Sequence, residues 1–157
     1  MRSSVIGFFC SISVLAAGCA SGPVVVALPQ KTAMASSEAD AEGKRFTPAA
    51  GRAHIYVTRT SLRGSRSRQQ ILLNGTAVGE IAWNTYLLLV VDPGTHEVSI
   101  VTPESLHSVT VRASSGENHF VSTVSRTGLV HARAELQVLA ESEGRQAVLA
   151  TQRAATP

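Results

Sequence analysis

The sequence predicts a mainly β protein, a small antiparallel β-sandwich or partly open barrel that follows a removable N-terminal signal and a flexible tether. Three observations carry this. Short apolar and β-branched runs recur at regular spacing, Gly- and Pro-containing turns divide them, and an apolar N-terminal stretch stops at small residues before Cys19. The C-terminus is open between a short helix and a last strand.

At 157 residues the chain is sized for one domain. Its 14 Lys and Arg against 11 Asp and Glu leave a formal charge of +3 that is local rather than spread over the surface, which argues against a nucleic-acid partner. Cys10 and Cys19 are the only cysteines. Cys10 lies in the segment expected to be removed, so the mature chain would hold a single thiol and no internal disulfide.

The first eighteen residues have the layout of a signal peptide. Arg2 gives a positive start, Val5 to Ala17 an apolar region too short and serine-rich for a comfortable membrane span, and Leu15-Ala16-Ala17-Gly18 leads into Cys19. Residues 1–18 are therefore assigned to the signal, 19–50 to a lipidated N-terminus and flexible tether, and 51–152 to the β domain. Between Ala20 and Ala50, Pro23, Pro29 and Pro48 interrupt any period. Val24 to Leu28 has strand or lipid-contact character, and Ser37 to Lys44 has helix formers too few to be stable alone.

Within the domain, Ala53, Ile55 and Val57 alternate with His54, Tyr56 and Thr58, the pattern of a strand with one apolar face. A polar loop, Arg59 to Arg68, leads to a strand over Gln70–Leu73. Asn74-Gly75 favours positive φ at two successive residues and predicts a hairpin with Ala77–Ala82. Tyr86 to Val91 is an unbroken apolar run, and Val98, Ile100 and Thr102 alternate with polar neighbours. Asp92-Pro93-Gly94 between them reads as a type II turn closing a central hairpin, with positive φ at Gly94. Leu106–Ala113, Asn118–Ser125 and Leu129–Leu139 follow as strands. Glu141 to Thr151 carries acidic residues first and an arginine later, which favours a helix over a hairpin at Glu143-Gly144.

Small residues before Cys19 resemble the bacterial lipobox, and that resemblance implies an acylated cysteine at the mature N-terminus. Ala20 follows it rather than an aspartate, which implies the outer membrane. An ordinary secretory signal is the alternative. Gly51 to Arg59, Ile71-Leu72-Leu73-Asn74-Gly75-Thr76-Ala77-Val78-Gly79-Glu80-Ile81, Tyr86, and Val91-Asp92-Pro93-Gly94-Thr95-His96-Glu97-Val98 together resemble domain-of-unknown-function family 2846. Asn-Gly, Val-Gly and Pro-Gly-x-His in this order also resemble envelope β-sandwich repeats of the PEGA kind. The first resemblance implies a small bacterial lipoprotein and brings no catalytic residues with it.

The candidate chemistry is sparse. Arg59, Arg63, Arg66 and Arg68 place four guanidiniums within ten residues, able to grip phosphates or carboxylates of lipid headgroups, envelope glycans or an acidic partner. A solvated charged loop that keeps an exposed strand end from aggregating is the favoured reading of them. His54, His96, His107, His119 and His131 lack the close pairs that bring two donors to one metal from a single element, so no metal or other cofactor is expected. Each is expected on a solvent face, with His96 able to bond the turn backbone. No nucleophile-plus-base set stands out, although Glu80, Glu97 or Glu117 could supply a carboxylate.

The function expected is that of a lipid-anchored envelope β domain, a non-catalytic binding or scaffolding module in the outer membrane facing the periplasm. The alternative is a lipoprotein holding an anionic glycan or lipid through the arginine loop, and an envelope hydrolase comes third.

Overall fold

The computed structural model describes residues 32–61, 68–102, 105–126 and 133–156. Helix α1 (Ser37–Gly43) precedes strands β1 (Ala53–Arg59), β2 (Gln69–Leu73), β3 (Thr76–Ile81), β4 (Thr85–Val91), β5 (Gly94–Thr102), β6 (Ser105–Ala113), β7 (Asn118–Arg126) and β8 (Arg133–Leu139). Helix α2 (Glu141–Leu149) and the two-residue strand β9 (Gln152–Arg153) follow. A five-stranded sheet, β8-β7-β1-β4-β9, packs on a four-stranded sheet, β3-β2-β5-β6. The expected sandwich is present, and the C-terminal segment takes the helical option.

Three expectations are corrected. β4 and β5 do not form a hairpin: β4 lies in the five-stranded sheet and β5 in the four-stranded one, so Asp92-Pro93-Gly94 carries the chain from one layer to the other. Gly94 has positive φ, but at +150° it is far from the roughly +80° of a type II turn. The strands are not all antiparallel, since β1 pairs parallel with β7 and β4 parallel with β9. Residues ahead of Gly51 also take part in the fold, from Thr32 through α1.

That early start has a local cause. Ser36 accepts from the Ala39 N–H at 3.2 Å and caps α1, while Glu38 and Asp40 lie in its first turn. A seven-residue helix is unstable in isolation, so packing holds it. Tyr56 donates to the Gly43 carbonyl at 2.7 Å and Tyr86 to the Asp40 carbonyl at 3.2 Å. Ala35 N–H to the Arg153 carbonyl (3.0 Å) and Ala155 N–H to the Ala33 carbonyl (2.8 Å) tie the preceding segment to β9.

Alternation along β1 and β4 makes two cores. Ile55, Val57, Leu87 and Leu89 face the four-stranded sheet and meet Ile71, Val98 and Ile100 between the layers. Tyr56, Tyr86, Leu88 and Phe120 point the other way and are covered by Phe46 and by Val148 of α2. Tyr56 and Phe120 stack at 5.2 Å with 15° between their planes, and the Arg145 guanidinium lies 4.5 Å above Phe46. Every residue of β1 is consequently buried, His54 and Thr58 included.

The Asn74-Gly75 turn is as expected, with φ of +50° and +79° at its two residues and Leu73 paired to Thr76. Its loop is also stapled to the start of β5. Asn74 Oδ1 accepts from Glu97 N–H at 2.9 Å, and Asn74 Nδ2 lies 3.2 Å from His96 Nδ1. His96 Nε2 donates to the Asp92 carbonyl at 2.8 Å, the backbone bond expected of it. Because that carbonyl only accepts, Nε2 carries the proton and Nδ1 accepts from Asn74. The Asp92 carboxylate pairs with Arg52, whose other amino group donates to the Val90 carbonyl at 3.2 Å.

Gly144 marks the closest approach of α2 to the sheet. A β-carbon there would stand 2.1 Å from Phe120 Cγ, against a ring that is only 2% exposed. Gly144→Ala should therefore destabilise the protein by about 1–3 kcal/mol, the overpacking strain exceeding the gain of about 1 kcal/mol in helix propensity. Gly94→Val should cost about 1–3 kcal/mol through backbone strain alone, since no atom stands within 4 Å of its added β-carbon. Urea denaturation of both variants measures these losses, and wild-type midpoints would contradict them.

Candidate functional site

The two flanks of the sandwich differ. On one, His107 of β6 accepts from the Leu136 N–H of β8 through Nδ1 at 3.1 Å, so an edge donor of one sheet is satisfied by the other. On the opposite flank lies a cleft of about 410 Å³, lined by Leu73, Ala77 and Val78 of the β2–β3 hairpin, Leu88 to Val90 of β4, and Arg153 and Thr156. Its walls come from both sheets. Its apolar side chains have a simple origin: strand alternation carries residues past the end of the inter-sheet core, where Leu73 and Val78 are packed against it but only half-buried, while Arg153, Thr156 and the strand edge make the rest of the lining polar.

Arg153 joins this cleft to a polar cluster. Its guanidinium donates to the Ala39 carbonyl at 3.0 Å and its backbone N–H to Asp40 Oδ1 at 2.9 Å. The other Asp40 oxygen takes Lys44 Nζ at 2.8 Å. Burial pushes the Asp40 carboxyl up, but the bonds from Lys44, the Arg153 N–H and Tyr86 outweigh it and hold the group below the usual carboxylate range. Arg153 also lines a smaller hollow of about 220 Å³ with Met34, Ala35, Ser37, Asp40 and Gln152.

Beneath α1 a chain of buried groups continues from this cluster. Tyr56 has one hydroxyl proton and gives it to Gly43, so His54 Nδ1 donates to the Tyr56 oxygen at 3.2 Å. Burial pushes the Tyr56 hydroxyl up to about 12, and it raises Tyr86 further still, helped by the Asp40 charge. His54 is driven the other way by burial, then by the Arg153 charge, with Glu42 partly opposing. The expectation of a solvent-facing His54 is corrected: the residue is 8% exposed and neutral in this setting.

Of the four arginines of the candidate cluster the structure describes Arg59 and Arg68. Arg59, at the end of β1, is 1% exposed and inaccessible to a bulk anion. Arg68 Nη1 pairs with Glu80 Oε2 at 2.7 Å. Arg63, Arg66, His131 and Cys19 lie outside the described residues. Among the described residues no three His, Cys, Asp or Glu side chains come together, and no helix is long and apolar enough to cross a membrane. Glu97 accepts from the Ser99 hydroxyl at 3.3 Å, and Glu117 lies 3.8 Å from His119 Nε2.

Sequence reasoning missed the cleft and Arg153. β9 has two residues and no period to detect, so Arg153 fell just beyond the domain assigned to 51–152. The readable signal was Tyr86 to Val91: an apolar run without alternation requires cover on both faces, and therefore a third layer beyond the sandwich.

A family model described as "Protein of unknown function (DUF2846)" matches residues 49–135. It spans β1 to β7 and enters β8, while α1, α2 and β9 lie outside it. An "Uncharacterized protein" of Haemophilus influenzae (strain ATCC 51907 / DSM 11121 / KW20 / Rd) is 26% identical over 148 residues, covering 94% of this chain and 80% of the relative. No solved structure matches.

The buried His54 fixes the sign of a pH dependence. Its folded pKa is below the ordinary value of 6.5, so as pH falls through 6.5 the unfolded chain takes up a proton that the folded chain refuses. Stability is full above that value and declines below it until the folded pKa is passed. Asp40, also lowered, adds a second loss of the same sign below its ordinary 3.8. Urea unfolding between pH 8 and pH 5 should show the first decline, and His54→Gln should flatten it; an unchanged slope in the variant would remove His54 as its source.

Proposed function

Because this chain belongs to the DUF2846 family, whose description assigns no activity, its geometry has to carry the reading, and we propose a lipid-anchored cell-envelope domain acting as a non-catalytic binding or scaffolding module. The observation that carries it is the cleft beside β4, with apolar side chains from both sheets, an exposed strand edge and the Arg153 guanidinium at its margin. Concave apolar surfaces with a few convergent polar groups are where proteins take ligands and partners. The cleft is the contact surface in this reading.

The anchor is Cys19, after Ala17-Gly18, with the outer membrane as the site and the periplasm as the facing compartment. A diacylglycerol on its thiol and a further acyl chain on its amine would contribute about 0.8 kcal/mol for each buried methylene, far above the marginal hold of one myristoyl chain. The arginine-loop alternative loses ground, since Arg59 is buried and Arg68 is committed to Glu80.

Mass spectrometry of the mature N-terminus should find an acylated Cys19. Wild-type protein should stay with membranes after a high-salt wash, which strips proteins held by charge alone, whereas Cys19→Ser should yield precursor or salt-released protein. An unmodified start at any other residue would end the lipoprotein reading.

A further inference from the structure

We propose that the free edge of β4 between Leu88 and Val90 is a strand-addition site, which takes an extended peptide of alternating apolar residues with a carboxylate beside Arg153. This deepens the reading of the cleft as the contact surface and rests on it.

The geometry follows from the ladder. β4 pairs antiparallel with β1 over Thr85–Val91, and in such a pair successive residues turn their backbone groups alternately toward and away from the neighbour. The carbonyls of Asn84 and Tyr86 turn away from β1, since they accept from Gln152 N–H at 3.1 Å and Ala154 N–H at 2.8 Å. By the same alternation Leu88 and Val90 present their N–H and C=O groups on that edge. β9 does not reach them. Its pairing with β4 stops at Tyr86–Arg153, the Ala154 N–H on the Tyr86 carbonyl is its last backbone bond to β4, and the Ala155 N–H on the far side goes to the Ala33 carbonyl.

The Val90 carbonyl accepts from Arg52 at 3.2 Å, which leaves the Leu88 N–H, the Leu88 carbonyl and the Val90 N–H in one line. Among the described residues no group bonds these three. They run along the cleft that Leu73, Ala77, Val78 and Thr156 also line. A ladder edge of this kind gives an incoming strand its main-chain bonds, and the pockets beside it select every second side chain.

The match of bond spacing to a backbone favours a polypeptide over a lipid chain, for which apolar walls alone would suffice. Charge sets the rest. Among the described residues the Arg153 guanidinium bonds the neutral Ala39 carbonyl and pairs with no carboxylate, and the nearby Asp40 is balanced by Lys44. A peptide carboxylate at that end would supply the missing countercharge.

The test uses the full chain in lipid nanodiscs and a fluorescein-labelled peptide, Asp-Val-Thr-Val-Thr-Val, read by polarisation. Saturable binding below about 1 mM is expected, with exchange of the Leu88 and Val90 amides slowed in its presence. Methylating alternate peptide nitrogens on the ladder-facing side should weaken binding at least about tenfold. Arg153→Gln should weaken the Asp peptide about three- to tenfold and leave its Asn counterpart unchanged.

No saturable binding, binding indifferent to methylation of either set of nitrogens, or unaltered exchange at Leu88 and Val90 would overturn the strand-addition site. Equal losses for the Asp and Asn peptides would overturn the charge assignment. Self-association of the chain that the peptide displaces would name a second copy as the occupant and overturn the partner peptide. Peptide binding and Cys19 acylation are read separately, so the site and the anchor can fail independently.

Discussion

Complete burial of β1 is the constraint from which the rest of this architecture follows. A strand inside a two-layer sandwich needs one apolar face, but here Tyr56 on the opposite face is as buried as Ile55 and Val57. Its hydroxyl then has to find a buried acceptor, because an unmet polar group costs about 1–3 kcal/mol. The Gly43 carbonyl supplies that acceptor, and only a glycine lets α1 approach, since a β-carbon at position 43 would stand 2.6 Å from the Tyr86 hydroxyl. Gly144 does the same for α2 over Phe120. The helical layer is thus an obligation imposed by two tyrosines and a phenylalanine on the back of the sheet.

How far the sequence could be read depended on the range of the interactions involved. Local chemistry was legible: Asn74-Gly75 made its turn, His96 bonded the backbone of Asp92, and the acidic start of Glu141–Leu149 went with a helix. Strand positions came within a few residues because side-chain alternation is a local consequence of the pleat. Strand partners did not. Asp92-Pro93-Gly94 looks the same whether it folds a hairpin or steps between layers, and the parallel pairing of β1 with β7 joins segments more than sixty residues apart, as with Thr58 and Val121. The candidate site was least legible of all, because Arg153 acquires its place only after β9 has paired with β4.

The contrast between the flanks has an energetic logic. A sheet edge leaves backbone groups exposed to any passing strand, and proteins cover or charge such edges. Here one edge donor is met internally by an imidazole nitrogen. The other edge is covered by β9 over two rungs only and then passes into an apolar cleft. Among the described residues nothing covers the rest of that edge, which is the ground of the strand-addition proposal.

The pairing of the segment before α1 with β9 bears on the order in which the molecule can assemble. Ala33 and Ala35 exchange backbone bonds with Ala155 and Arg153, so residues near the start of the folded unit are held by residues near its end. A chain emerging N-terminus first could not close this pairing until the final strand had emerged. Such long-range closure slows folding relative to local pairing. The segment around Arg153 to Ala155 thus works as a latch, closing the unit after the strands it joins have formed.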